Sequence, residues 1–509
     1  MTAAVITPPA PERSGIPASA IAVAAFFALL ALPRPAIPLI DGDVYWHIRA
    51  GLEVLASGRV PNQDTWSIVG SGMAWTSQDW LSNVILAAAW RIGEFGPTLA
   101  SFIWALLVVL ALAFLWWAVR LRRPDAGWLG RIVWLAAGLV VAGATLGTRV
   151  QAIDLTMAGA TLLVLWGYLA TRRRRWLIGL PVITLLWVNL HAGWPILFLL
   201  GGALLVGEAA DRLLRRSLDT EPLTWNELAW LAGTLAVCIP LVAINPNGLA
   251  LYVYPIQTSS IAAHRDFVSE WQPPDPGTFI GQAFIVFTLV FVLPVFLAWR
   301  RVRLADALLM AGLTAMTFTA ARFLIVAPLT AAVAVLYGEP LLADTRLSRT
   351  FGPILRRLGT PRRNLSGLNA VLVGLVVVIG LVVTWARINP DAQRDMVDDH
   401  MPVAAVQWIN ANDPGDRPFN QYSWGGYLGL MRPEHPVFID GRSDIYGDAP
   451  IRRYAETVRL ERDPQQVFDE DGIEYVLFEV NTPLAQWLDR SDGWRRAYAD
   501  DLAGVWVRS

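Results

Sequence analysis

Two carboxylates stand two residues apart in the stretch Asp41-Gly42-Asp43-Val44-Tyr45-Trp46-His47. At a membrane surface such a pair suits general-base work or the holding of a cation. Taken alone it is equally an ordinary solvated loop start. Other polar residues recur at the ends of apolar runs: Arg149 with Gln151, Asn189 with His191, Asn245-Pro246-Asn247-Gly248, and Glu270-Trp271 near His264 and Arg265. Arg322 stands with no charged neighbour within ten residues. Arginine presents a planar fork of donors that matches phosphate oxygens, which makes Arg149 and Arg322 candidate phosphate ligands. His47 and His191 are candidates too, although a lone histidine more commonly satisfies a hydrogen bond in the packing.

A second group of polar residues lies near the C-terminus. Asn420-Gln421-Tyr422-Ser423-Trp424-Gly425-Gly426-Tyr427 reads as a turn entering a helix. It is followed by Pro436-Val437-Phe438-Ile439-Asp440-Gly441-Arg442-Ser443-Asp444. Asp440 follows a short apolar run, where α/β sheets present ligand groups. Arg442 is placed to pair with it. A ligand site and a buried ion pair closing a turn are both open readings.

The elements that must position these residues are mostly membrane spans. The chain has 509 residues, 55% of them hydrophobic and 16% charged. Its mean hydropathy is +0.43. Soluble domains are about 25% charged, so the balance excludes a soluble enzyme, a disordered chain and a nucleic-acid binder. The 24 Trp suit membrane interfaces. All 41 basic residues are Arg, and the lone Cys238 has no partner for a disulfide. A bilayer core takes about 20 apolar residues per helix. Eleven segments qualify: 18–40, 97–119, 127–148, 153–171, 176–191, 193–211, 227–245, 279–299, 304–321, 323–340 and 366–386. Prolines interrupt the first.

If the spans alternate, the arginine clusters at 120–123, 172–175, 212–216, 300–303 and 346–363 share one side. That side is expected to be the cytoplasm. Residues 1–17 then form a disordered cytoplasmic tail, 18–387 the membrane module, and 388–509 an extracytoplasmic α/β domain. Within 388–509 the pattern predicts helices near 400–411, 450–460 and 482–489, and strands near 436–440, near 474–480 and in 494–508. This tail carries 12 Arg against 22 acidic residues, while residues 1–387 carry 29 Arg against 20. Residues 41–96 form a long first outer loop. Trp46 to Leu55 are amphipathic and end at Gly58, and Trp66, Trp75 and Trp80 follow. That pattern suits a helix in the interface plane.

The order of these motifs resembles the GT-C superfamily of membrane glycosyltransferases, in an uncharacterised bacterial branch. The motifs are D-x-D-x-x-W-H, N-L-H, N-P-x-G, E-W, a lone Arg between late spans, and G-G-Y-L followed by F-I-D-G-R. The resemblance implies a polytopic α-helical fold in the bacterial inner membrane. It implies a polyprenyl-phosphate-linked sugar donor and inverting transfer to an extracytoplasmic glycan, lipid or protein acceptor. Asp41 or Asp43 would be the base. The resemblance carries over to those two only; His47, Arg149, Gln151, Asn189, His191, Glu270, Arg322, Tyr427, Asp440 and Arg442 are candidates for the substrate site from their polar character and placement. The superfamily includes metal-using and metal-free members, so Mg or Mn bridging Asp41 and Asp43 is compatible with it. The tail is also similar to the soluble domain of oligosaccharyltransferases, with Gly425 where their motif has Asp. A transporter or flippase of a lipid-linked glycan, or a non-catalytic envelope assembly protein, would share the membrane architecture. The gathering of polar groups at one face favours the enzyme.

Overall fold

The computed structural model describes residues 15–216, 218, 220–342 and 346–509. Most of the expected N-terminal tail, residues 1–14, lies outside them.

Apolar runs in lipid must satisfy their backbone polar groups internally, so they fold as helices. In chain order, α1 (Ser19–Ala25) runs into a π turn (Phe26–Ala31) and stops before Pro33. α2 (Gly42–Ser57) and α3 (Trp80–Trp90) occupy the first outer loop. Next come α4 (Gly96–Arg122), α5 (Trp128–Val141), α6 (Gln151–Thr171), α7 (Gly179–Leu190), α8 (Pro195–Leu213) and α9 (Trp225–Leu241). α10 (Ala250–Ser260) and α11 (Ala262–Phe267) precede α12 (Phe279–Phe287), α13 (Leu293–Leu297), α14 (Leu304–Thr319) and α15 (Ala327–Leu342). α16 (Arg346–Gly359) leads into α17 (Ser366–Ile388).

Among the described residues, six helical stretches are long and apolar enough to cross a membrane: Gly93–Arg122, Trp128–Thr145, Gln151–Thr171, Phe279–Leu297, Ala321–Gly338 and Arg363–Ile388. The other five expected spans are helical but depart from that standard. α1 is broken by proline, and α7, α9 and α14 are short. α8 carries Glu208, Asp211 and Arg212. Trp80–Trp90, expected as loop, is a short apolar helix.

The arginine-rich end is more than solvated loop. Arg122 pairs with Asp306 at 2.9 Å, Arg216 with Asp211 at 2.9 Å, and Arg303 with Glu208. All three acids are buried. The Arg122–Asp306 and Arg303–Glu208 pairs tie α4 and α8 to α14, so these span ends are less uniformly apolar than the sequence suggests.

Residues 390–509 continue as α18 (Pro390–His400), α19 (Val403–Asn412), β1 (Pro418–Asn420), α20 (Gly425–Met431), α21 (Ser443–Tyr446), α22 (Asp448–Val458) and α23 (Pro464–Glu470). β2 (Tyr475–Glu479), α24 (Pro483–Arg490), β3 (Trp494–Ala499) and β4 (Ala503–Arg508) complete the chain. The sheet order is β1-β2-β4-β3, with β1 parallel to β2 and the other pairs antiparallel. The strand expected at 436–440 is not in this sheet. It is extended, but it bonds to the first outer loop. Val437 N–H donates to Trp66 O and Ile68 N–H to Val437 O, both at 2.8 Å. On its other side the Asn420 side chain takes a strand's place, accepting from Phe438 N–H at 2.8 Å and donating to Ile439 O at 2.9 Å.

α2 does not lie free in the interface plane. Its first turns are buried between α3 and α20. Glycines permit this approach. A Cβ at Gly42 would stand 1.7 Å from Ser423 O, and one at Gly426 would stand 2.2 Å from Gly42 O. Arg49 fastens the same seam, donating to Gly429 O at 3.0 Å and Pro433 O at 2.9 Å.

Candidate active site

α2 starts at Asp41, whose backbone is extended and whose carboxylate accepts from Asp43 N–H at 3.0 Å. This N-cap fixes the first turn and sets Asp43 where a helix N-terminus favours negative charge. Arg149 pairs with Asp41 and lies 3.6 Å from Glu270. Arg322 lies 3.8 Å from the other Glu270 oxygen and stacks on Trp271 at 4.2 Å. Asp41, Arg149, Glu270 and Arg322 thus alternate in sign along one chain of contacts. Two bonds hold this chain: Trp104 donates to Arg149 O at 2.9 Å, and Ala321 N–H donates to Gln272 O at 2.8 Å.

Asp43 stands beside this chain with a different environment. Trp46 Nε1 donates to one of its oxygens at 3.2 Å. Burial first, and then the charges of Asp41 and Glu270, push its carboxyl up to about 7, against the pull of His47 and Arg149. His47 follows one turn later. Its Nδ1 is 2.6 Å from Asn83 Oδ1 and 3.1 Å from Asp79. Burial opposes the charge on His47, but Asp79 and these hydrogen bonds outweigh it and raise its pKa.

A cavity of about 800 Å³ opens above these groups. Asp41, Asp43, Arg149, Glu270 and Arg322 line one side; Tyr422, Ser423, Gly441 and Ser443 line the other, with Ile451 and Tyr454 of α22. A narrow recess beneath it adds His47 and Gln151. The buried Gln151 Oε1 has no hydrogen-bond partner among the described residues.

The F-I-D-G-R stretch meets the site through its glycine. A Cβ at Gly441 would stand 1.6 Å from Asp43 Oδ1. Asp440 and Arg442 themselves are turned to structural use. Arg442 pairs with Asp440 at 2.7 Å and Asp64 at 3.0 Å, and it lies between the rings of Trp66 and Trp75 at 4.3 and 4.7 Å. Tyr446 donates to Asp440 at 2.8 Å. The two tryptophans are therefore packing partners of a buried cation and not an interface belt. Arg442→Met leaves two buried carboxylates uncompensated. We expect a loss of about 3–5 kcal/mol, read as a lower unfolding midpoint in detergent. An unchanged midpoint would refute the structural role.

Three more expected ligands lie outside the cavity lining. Asn189 accepts from Trp80 Nε1 at 2.8 Å and donates to Ile244 O at 2.9 Å. His191 and Trp187 both hold Asp154, each at 2.8 Å. Tyr427 packs edge-on against Tyr45 with ring centroids 5.0 Å apart. All three are engaged in packing. Sequence reasoning missed Asp79, Asn83 and Gly441. The run Gln78-Asp79-Trp80 offered a signal, an acid beside an apolar helix; Gly441 offered none.

The donor set does not suit a divalent metal. Among the described residues no three His, Cys, Asp or Glu side chains gather as ligands. Arg149 holds both Asp41 and Glu270.

No protein-family model matches the chain, and no curated protein matches its sequence. Solved structures do match. The archaeal oligosaccharyltransferase AglB of Archaeoglobus fulgidus, in complex with an inhibitory peptide and a dolichol-phosphate, aligns with TM-score 0.54 and 12% identity over 96% of this chain and 74% of that one. Its apo form aligns with TM-score 0.53 and 14% identity over the same shares. The fold is the GT-C fold. ArnT of Cupriavidus metallidurans, bound to undecaprenyl phosphate, aligns at 13% identity and TM-score 0.47, over 96% and 97% of the two chains. Residues of the 41–96 segment and of the C-terminal region line the same cavity as the span-end arginines.

Proposed function

We propose that this GT-C protein is a membrane glycosyltransferase. It moves a sugar from a polyprenyl-phosphate-linked donor to a hydroxyl of an extracytoplasmic acceptor. One observation carries this reading: the carboxylate of Asp43, in no ion pair with an arginine among the described residues, faces a cavity that Arg149 and Arg322 also line. The dolichol-phosphate held by the archaeal oligosaccharyltransferase is a lipid-linked phosphate of the expected kind.

In this mechanism Asp43 accepts the proton of the acceptor hydroxyl. The oxygen attacks the anomeric carbon in line, and the bond from that carbon to the phosphate oxygen breaks. Configuration inverts. The electron pair leaves with the lipid phosphate, whose charge Arg149 and Arg322 offset. Asp41 and Glu270 position these two arginines. Ala144, Thr145, Ile280 and Leu324, which line the same cavity, would meet the first prenyl units. The protein would sit in the bacterial inner membrane, its N-terminus cytoplasmic and residues 388–509 extracytoplasmic.

The test is reconstitution in liposomes with a radiolabelled polyprenyl-phosphate sugar and an envelope extract as acceptor source. Label should move out of the donor fraction, and free polyprenyl phosphate should accumulate in step. Donor that crosses the bilayer intact would instead mark a flippase. Gln151 gives a finer test. Gln151→Met removes an unpaired buried oxygen, a burden of about 1–3 kcal/mol. Stability should hold or rise, while KM for the donor rises about tenfold through one lost hydrogen bond. An unchanged KM would remove Gln151 from the binding set.

A further inference from the structure

The strongest charge pattern outside the site lies between α15 and α17. Residues 346–363 contain six arginines and no Asp or Glu. Most of this stretch is α16, Arg346–Gly359. At about 100° per residue, Arg349, Arg356 and Arg357 share one side of the helix, and Ile354, Leu355 and Leu358 share the other. Ile354 and Leu358 are 52% and 40% exposed. The three arginines are exposed as well. A helix so sharply divided, with its apolar side open, is built to lie in a membrane–water interface.

Its position agrees. α16 connects to Ala321–Gly338 on one side and Arg363–Ile388 on the other, both long and apolar enough to span. Gly359 lies beside Trp128 at the start of α5, its Cβ position 3.7 Å from the indole nitrogen. α16 begins eight residues after the first of these stretches and ends four before the second, which keeps it near the ends of both. There the water-facing side offers positive charge alone, and the complementary surface is a leaflet of anionic headgroups.

We propose that α16 is an interfacial anchor that docks on anionic phospholipids. Ile354, Leu355 and Leu358 enter the acyl boundary, and Arg349, Arg356 and Arg357 meet the phosphates. The proposal is independent of the transfer reaction.

The experiment uses the full chain in lipid nanodiscs, labelled with an environment-sensitive dye through I354C. The parent chain, whose Cys238 is buried, is the labelling control. Two disc types carry equal bromine, one on phosphatidylcholine and one on phosphatidylglycerol diluted in phosphatidylcholine. Quenching is expected in both, several-fold stronger per brominated lipid with phosphatidylglycerol. R356Q/R357Q should erase that preference. Native mass spectrometry of the unlabelled wild type should show retained phosphatidylglycerol, and less of it in the double variant. Absence of quenching in either disc, as a covering protein or a second copy would produce, overturns the proposal. Equal quenching by the two lipids overturns it too.

Discussion

Asp43→Asn is expected to slow sugar transfer by about a hundred- to ten-thousand-fold, the span of a general base's contribution. The side chain keeps its size and its acceptor oxygen, so the Trp46 hydrogen bond can persist. Donor binding should change little, because Arg149 and Arg322 answer to Asp41 and Glu270. The loss should therefore appear in kcat. Asp41→Asn should behave differently, loosening Arg149 and raising the KM for donor. The pH profile separates the roles further. Asp43 is protonated below about 7 and is then no base. kcat/KM should rise with pH and level off above about 7. This acid limb should vanish from the residual activity of Asp43→Asn. Initial rates with labelled donor across pH 5–9 check both. A variant that transfers at the wild-type rate would remove Asp43 from the chemistry.

Gly441→Ala is expected to be nearly as damaging with no change in charge. The added methyl would stand 1.6 Å from Asp43 Oδ1, a distance no packing tolerates. Either the carboxylate rotates off Trp46 or the segment 440–442 retreats. The second route strains the buried Arg442 cluster, and overpacking of this kind costs about 1–3 kcal/mol. The variant should still fold, since the clash has one movable partner. Its kcat should fall by about a hundredfold or more, as misplacement by an ångström does at other sites. The measurement is the transfer rate set beside the unfolding midpoint. Wild-type kcat in Gly441→Ala would mean that the Asp43 carboxylate has no fixed productive position.

The legibility of these features in the sequence varied with their physical cause. Helical stretches were readable because lipid leaves an apolar backbone one solution; their boundaries came within a few residues except in the first, expected over 18–40, where the helix ends at Ala31 before Pro33. The D-x-D pair was readable because an N-cap acid and a first-turn acid are local features. Arg149, Gln151, Glu270 and Arg322 were readable as polar residues stranded at span ends. The Asp440–Arg442 pair was readable because the two are neighbours, but its further partners Asp64, Trp66 and Trp75 were not, since they lie more than 350 residues away in the chain. The strand at 436–440 was misplaced for the same reason: alternation reveals an extended segment but not its neighbour. Gly441 was invisible, since a missing side chain leaves no pattern.

The seam between the first outer loop and the C-terminal region has a consequence for protein engineering. Backbone pairing at Trp66 and Val437, glycine contacts at Gly42 and Gly426, and the Arg442 cluster all cross it. The two segments pack as one unit although about 290 residues of chain separate them. Transplanting residues 388–509 alone onto another GT-C scaffold should therefore yield an insoluble or inactive hybrid. Residues 41–96 would have to travel with them, and acceptor preference should be inherited through the pair rather than through either piece.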